Sequence, residues 1–361
     1  MGIISLVRTL YQVQDIAINV IIIVVGILGL SAFGIISGLF YKGIDRKLSA
    51  HMQGRIGPPL KQPFLDIIKL FTKENIIPDN AISWVFNFAP LIGLVATISI
   101  LLYLPIAGFE PLLNNQGDLI LILYLLLIPS LSMVVGGFSS GSPYATVGAQ
   151  REMATMIAYE FPLAIIIISI AWKLSIDGVS NVFSLSSIIA APLWSTVGPL
   201  GFLGLIILLL ALIIVTPAEL SKIPFDSPEA ETEIAGGLLV EYSGRNLAMF
   251  YLTDGVKTIV MASLIVALFF PYNLSPLLGL EGYFAFTIDI IFYLIKIFLI
   301  ILFSVTLIRV AIARLKIDQI VYTYWVPITL LSLVGLICIM WDQTIMVNFG
   351  LDPLFEMIGL I

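Results

Sequence analysis

Eight stretches of about 20 mostly apolar residues, each long enough to cross a bilayer core as a helix, recur along the chain. They fall at roughly 16–41, 85–107, 119–137, 153–172, 199–217, 249–270, 286–307 and 322–341. Composition points the same way: 60% of the 361 residues are hydrophobic, 11% are charged, and mean hydropathy is +1.10. Soluble domains carry about 25% charged residues, and disorder needs low hydrophobicity with high net charge. The chain reads as an all-α integral membrane protein, a single membrane domain over 1–361. The first stretch exceeds the roughly 7–15-residue core of a signal peptide, so it is read as an uncleaved span. No internal repeat of about 20–50 residues is evident, which counts against an inverted-repeat carrier.

Basic residues set the orientation, because Lys and Arg concentrate in cytoplasmic connections. Of the 17, all but Arg8, Lys173, Lys257 and Lys296 fall on one side of the eight-span arrangement. The 42–84 connection alone holds Lys42, Arg46, Lys47, Arg55, Lys61, Lys69 and Lys73. That side is expected to be cytoplasmic and both termini outside. The outer connections are short, with scattered acids Glu110, Asp118, Asp177 and Glu281 and a candidate short helix at 182–195.

One cysteine, Cys338, and one histidine, His51, bound the chemistry. Iron–sulfur clusters take about four thiolates, and zinc or haem sites need several Cys or His ligands. If electrons move, another polypeptide carries them, and this one is expected to hold no cofactor. A formal charge of −6 argues against nucleic acid as a partner. No phosphate loop, nucleophile triad or metal-ligand spacing emerges.

Four constellations stand out on the basic side. Gly54-Arg55-Ile56-Gly57-Pro58-Pro59 leads into 62–77, where Phe64, Ile67, Ile68 and Phe71 recur at helical spacing against Asp66, Lys69 and Lys73. This predicts a cytoplasmic amphipathic helix in the interface; it is either a plain anchor or a platform for a soluble partner or lipid-soluble ligand. Next, the small-residue run at 138–149 predicts a tight loop, followed by a helix carrying Arg151, Glu152 and, two turns on, Glu160. A carboxylate inside a span is costly and is a relay candidate, unless an Arg–Glu pair merely fixes packing.

The third constellation, 216–233, is the densest. Ser227 reads as an N-cap and Pro228 as the first helical residue, so the acids that follow gain about 0.3–1 kcal/mol each from the helix dipole. Capping does not need so many. Six carboxylates, Glu219, Asp226, Glu229, Glu231, Glu233 and Glu241, have only Lys222 as nearby basic company before Arg245. Crowded like charges favour protonating some of their number, which suits ion exchange. The fourth is Asp254 with Lys257, three apart on one helix face and expected to pair, with Lys296 in the next span. Gly34 and Gly38 form a small-xxx-small pair, read as close helix packing.

These residues resemble the H-type membrane component of the NADH–quinone oxidoreductase (respiratory complex I) family and its relatives in membrane-bound energy-converting nickel–iron hydrogenases. The resemblance spans most of the sequence. It rests on Arg55-Ile56-Gly57-Pro58, Gln62-Pro63, Lys69-Leu70, Lys73-Glu74, Asn87-Phe88-Ala89-Pro90, Tyr144, Gly148, Arg151, Met156-Ile157 and Tyr159-Glu160. The 224–233 segment, Glu241-Tyr242-Ser243-Gly244, and Arg314 through Asp318-Gln319 complete it. It implies an eight-span coupling subunit between an iron–sulfur redox arm, docked on the cytoplasmic loops, and antiporter-like membrane subunits. Carried over by motif, Glu160, Glu219, Asp226, Glu229, Glu231, Glu233 and Glu241 would line the ion path, with Asp254 and Lys257 beside it. Arg55, Lys69, Lys73, Arg151, Lys222 and Arg314 would face the small iron–sulfur and large catalytic-type subunits.

The departures select a branch. Quinone-reducing members carry a longer Arg-x-Gly-Pro-Asn-Arg-Val-Gly-Pro stretch, where Pro58-Pro59-Leu60-Lys61 stands here before Gln62. Their Ser-Asn-Ser-Lys-Tyr is Ser140-Gly141-Ser142-Pro143-Tyr144 here, and the Gln four residues after the motif Arg is Thr155. With Arg151-Glu152-Met153, these features are similar to the group 4 membrane-bound hydrogenase branch and related sulfur-reducing complexes. The expectation is an ion-coupling subunit in a prokaryotic plasma membrane, with iron–sulfur, and in the hydrogenase case nickel–iron, in partner subunits. The alternatives are the quinone-binding membrane component of a true complex I and a stand-alone ion carrier.

Overall fold

The computed structural model describes residues 2–114, 117–280 and 282–349; the expected outer acid Glu281 lies outside them. Among the described residues eight helices are long and apolar enough to cross a membrane: Ile23–Met52, Ser83–Leu101, Asp118–Ser139, Pro143–Ile176, Pro199–Glu219, Gly244–Phe269, Tyr283–Ala311 and Ile317–Met346. They are called the first to eighth spans below. Lipid offers no hydrogen-bond partners, so segments this apolar satisfy their backbones internally as helices. Among the described residues the extended pairing is a single isolated bridge, Ile106 with Phe109.

Several helices run beyond their apolar windows. The first continues to Met52 rather than ending near 41, which keeps Lys42, Asp45 and Arg46 helical. The fourth starts at Pro143, not 153, because proline without an N–H suits the first helical position. The expected loop over the small residues therefore shrinks to 140–142, with Gly141 at φ +71°. The second span stops at Leu101. Each of the last two contains one π-helical turn, at 302–306 and 324–328. In the latter, Pro327 withholds a backbone donor and breaks the regular ladder.

The sixth span is the axis of the bundle: 94% of its apolar stretch is buried, against 22% to 61% in the other seven. The first span lies directly on it. A Cβ on Gly38 would collide with the Gly255 carbonyl, whereas one on Gly34 would meet the Leu101 side chain. The two glycines thus serve close packing, as expected, but against two different helices.

The amphipathic helix spans Gln62–Thr72 and ends before 77, since Lys73 turns to extended backbone. Its apolar face is divided. Ile67 is buried with Leu39 and Leu252, and Phe64 packs beside them. Leu65, Ile68 and Phe71 are exposed. Asp66 accepts from Arg46 (3.1 Å) and Gln62 (2.9 Å), fixing this helix to the first span.

All the motif-bearing connections gather at one end of the bundle. There Ile82 N–H donates to Ser139 O, Ile76 N–H to Ser243 Oγ, and Leu315 N–H to Pro224 O. The opposite end is closed by clamps. Trp194 Nε1 donates to Phe269 O (2.6 Å), and Asp342 accepts from the Gly198 and Gly201 amides (2.8 and 2.7 Å) at the start of the fifth span. Lys173 pairs with Asp177 at 2.8 Å. Helices at 185–190 and 193–196 occupy the 182–195 segment.

Candidate ion-relay site

Residues 220–243 do not leave the bundle as a surface loop; they fold back into its motif end. Phe225 is buried edge-on against Tyr324, with ring centroids 5.1 Å apart. Ser221 adopts φ +47° and the Ile223–Pro224 bond is cis. The expected capping arrangement changes here. Asp226 precedes a three-residue 3₁₀ turn, and Ser227 is the first residue inside it. The Ser227 hydroxyl is buried, with no partner among the described residues, instead of capping a long helix. Pro228 keeps its early-turn place. The helix is interrupted because Ala235, Gly236 and Gly237 take positive φ.

The acids of this segment are dealt to different cations. Asp226 receives both arms of Arg314 (2.9 and 2.6 Å), a bidentate geometry that only a planar guanidinium supplies. Glu233 pairs with Arg151 at 2.5 Å, and Arg151 also donates to Ser227 O. Glu231 is exposed, and Glu241 is half-buried just before the sixth span.

Asp254 and Lys257 do not form the expected pair. Three residues of helix leave them about 60° apart around the axis, enough to face different neighbours. Asp254 sits between two ammoniums, Lys42 of the first span at 2.6 Å and Lys222 at 2.5 Å. Lys257 turns to Glu219 at 2.8 Å, both of them almost fully buried, and donates to Ser130 Oγ at 3.0 Å. Glu160 is half-buried on the fourth span, within electrostatic reach of Glu219. Its neighbour Phe161 stacks on Trp325.

Two cavities run into this network. The larger, about 380 Å³, is lined by Lys42, Asp226, Glu231, Arg309 and Arg314 among others; the smaller, about 50 Å³, reaches Glu219 and Lys257. Ser221, Lys222, Glu229, Tyr251 and Asp254 line both. A water needs only about 10–15 Å³ of such space and two to four polar partners, so even the smaller cavity has room for more than one. Among the described residues no three His, Cys, Asp or Glu side chains converge as metal ligands.

Glu229, at the junction of the two cavities, is pushed from its ordinary 4.5 up to about 7. Burial is the main cause; Lys222 opposes the shift, Asp254 adds to it, Lys42 opposes it, and Asp226 adds to it. A raised acid binds its proton more tightly in the folded protein. Its effect is therefore a loss of stability as pH climbs from about 4.5 to about 7, level above that. Glu229→Gln is expected to remove this portion of the pH dependence, read by thermal melts of the purified complex across that window. A melt profile identical to wild type would take Glu229 out of the titration.

Of the basic residues expected at a docking face, Arg55, Lys69 and Lys73 are exposed at the motif end. Arg151 and Lys222 are half-buried and Arg314 is exposed, and all three are held by the ion pairs above. Sequence reasoning missed Lys42, Asp45 and Glu152. Asp45 accepts from Thr306 (2.7 Å) and Arg309 (3.0 Å), beside the first π-turn, and Glu152 is buried to 1% exposure. The signal for the first two was present: Lys42 and Asp45, three residues apart, continue the helical register of an apolar span.

Known proteins share this arrangement of spans. A solved polypeptide from the membrane-bound sulfane sulfur reductase, an archaeal respiratory membrane complex, superposes with a TM-score of 0.76 at 29% identity, covering 88% of this chain and 99% of that one. The H subunit of NADH-quinone oxidoreductase from Carboxydothermus hydrogenoformans is 33% identical over 70% of this chain and 71% of its own length. The H subunit of F(420)H(2) dehydrogenase from Methanosarcina barkeri is 31% identical over 86% and 92%. A family model described as NADH dehydrogenase matches residues 18–340. The chain belongs to the NADH dehydrogenase family, that of the complex I H subunit.

Proposed function

We propose that this chain is the ion-coupling membrane subunit of a multi-subunit respiratory oxidoreductase of the membrane-bound hydrogenase or sulfur-reducing type. The observation that carries the proposal is the ionic network folded into the motif end of the bundle. Asp254 is held between Lys42 and Lys222, Glu229 lies at the junction of two cavities, and Lys257 with Glu219 lies beyond. Intramembrane charges are retained where they serve ion movement. Membership of a family of respiratory membrane subunits supports the same reading, and likeness to the sulfane sulfur reductase polypeptide favours the sulfur-reducing branch.

Exposed Arg55, Lys69 and Lys73 would meet a small iron–sulfur subunit and a large catalytic-type subunit on the cytoplasmic side, and those partners would carry the redox centres. The basic asymmetry supports a cytoplasmic motif end and both termini outside, and the bacterial and archaeal relatives support a prokaryotic plasma membrane. Beyond the relay, the sixth span from Ile259 to Phe269 is buried among apolar side chains, and clamps close the far end. An ion entering the cavities would leave sideways, towards antiporter-like subunits. This tells against a stand-alone carrier. The quinone-binding reading draws on the exposed Leu65, Ile68 and Phe71 of the amphipathic helix and on the quinone oxidoreductase relatives.

Glu233→Gln keeps the shape facing Arg151 and removes the charge. Assembly should persist while ions moved per electron fall about fivefold or more, the size of effect a coupling-network residue has. Reconstituted complex in vesicles gives the ratio directly, and a wild-type ratio would remove Glu233 from the path. Nickel and quinone content of the same preparation separates the branches. Nickel marks the hydrogenase type, and bound quinone lost on altering 55–78 marks the quinone-binding reading.

A further inference from the structure

Glu152 is the buried group that the relay described above leaves unused. It sits on the fourth span at 1% exposure, and its Oε1 atom has no hydrogen-bond partner among the described residues. Its other oxygen, Oε2, accepts from Ser221 Oγ at 3.4 Å, and Ser221 lines both cavities. On the far side Glu152 faces Ser130, Lys257 and Glu219, and it also senses Glu229 from the 3₁₀ turn. Ser130 is the hinge of the group: its hydroxyl takes the Lys257 ammonium at 3.0 Å and lies 3.3 Å from the Tyr159 hydroxyl.

Among the described residues Lys257 is the ammonium that contacts both Ser130 and Glu219, and Glu152 and Glu219 are the two carboxyls that face it. An unbalanced charge is expensive in a dry interior, so the trio is neutral when the two carboxyls share one proton. The cation can balance either of them. A serine that accepts from the ammonium and can turn its own hydrogen elsewhere leaves the passage between them open.

We propose that Glu152 is the alternative partner of Lys257, a second position for the ammonium on the cavity side of Ser130. The step balances in protons alone. The Glu152 carboxyl O–H breaks, and the Ser130 hydroxyl takes that proton while handing its own hydrogen to Glu219, whose carboxylate becomes a neutral carboxyl. Lys257, still an ammonium, turns from Glu219 to the carboxylate left on Glu152. Once Glu219 releases the proton onward, Glu152 takes the next one from cavity water past Ser221 and Lys257 swings back, so each full cycle carries one proton from the cavity through Glu152 to Glu219. This rests on the ion-coupling reading and makes Glu152 a positioning residue for the relay.

The test uses the intact complex in vesicles, with protons moved per electron as readout and Glu219→Gln measured beside each variant. Glu152→Gln keeps the shape and the Ser221 contact but cannot take the charge. Its ratio is expected to fall about fivefold to tenfold, while Glu152→Asp, which keeps a carboxyl, recovers most of it. A wild-type ratio in Glu152→Gln overturns the proposal. If Glu219→Gln uncouples while Glu152→Gln does not, the Glu152 assignment alone fails; wild-type ratios in both sink the ion-coupling reading itself. Should Glu152→Gln fail to assemble, Ser221→Ala decides. A lowered ratio supports the link to the cavity, and an unchanged one overturns it.

Discussion

Asp254→Ala is expected to cost the fold about 3 kcal/mol, the lower end of the range for breaking a buried pair. One carboxylate here holds two ammoniums, at 2.6 Å from Lys42 and 2.5 Å from Lys222. Removing it leaves two like charges about 5 Å apart, a repulsion of about 3 kcal/mol at an effective dielectric near 20. The site is a quarter open, with the Asp254 side chain 26% exposed, so solvent relieves part of this and the lower figure is the better one. The damage should be local. Lys222 would release the 220–243 segment, and Lys42 would loosen the first span from the sixth near Gly38 and Gly255. Melting temperature of the complex, with protease sensitivity of 220–243, checks both. Adding Lys42→Met to Asp254→Ala removes one of the two stranded cations and should recover about half the stability loss without recovering ion movement. A single variant melting with wild type would mean that this triad does not hold the segment down.

Lys257→Met is expected to be more damaging, at about 3–5 kcal/mol, because bulk solvent barely reaches this pair. Lys257 is 4% and Glu219 2% exposed at the side chain. Glu219 closes the fifth span immediately before the backbone turns into 220–243. A carboxylate abandoned at that point would pull water into the bundle or break the turn. Adding Glu219→Gln to Lys257→Met replaces an ion with a neutral group and should return most of the loss. The double-mutant cycle would show a coupling of about 2–3 kcal/mol. Assembly yield and denaturation midpoints of the four proteins give that number. Additive losses would mean that the two side chains are not partners.

The contrast between these two neighbours shows where sequence reading stops. Eight spans are legible because an apolar stretch of that length has no other way to satisfy its backbone in lipid. The dense acids between 219 and 241 are legible because so many carboxyls exceed any capping need. The amphipathic helix at 62–72 is legible from its period, though not how its apolar face divides between bundle and surroundings. Even the helical reach of Pro143–Ile176 was open to inference from proline at its first turn.

What the sequence could not assign is which charge answers which. Local spacing pairs Asp254 with Lys257 and places Arg151 beside Glu152. In the fold Asp254 goes to Lys42, 212 residues away, and Arg151 to Glu233, 82 residues away, while Glu152 turns inward. These choices follow from helix rotation and from backbones brought together at Gly38 and Gly255. A long-range pair depends on the relative azimuth of two helices, and no single helix carries that in its own period. The sequence by itself determined a bundle of membrane helices with a charged end; only the tertiary packing decided which of its charges pair, because an ammonium reaches only the carboxylate that packing sets within about 3 Å of it.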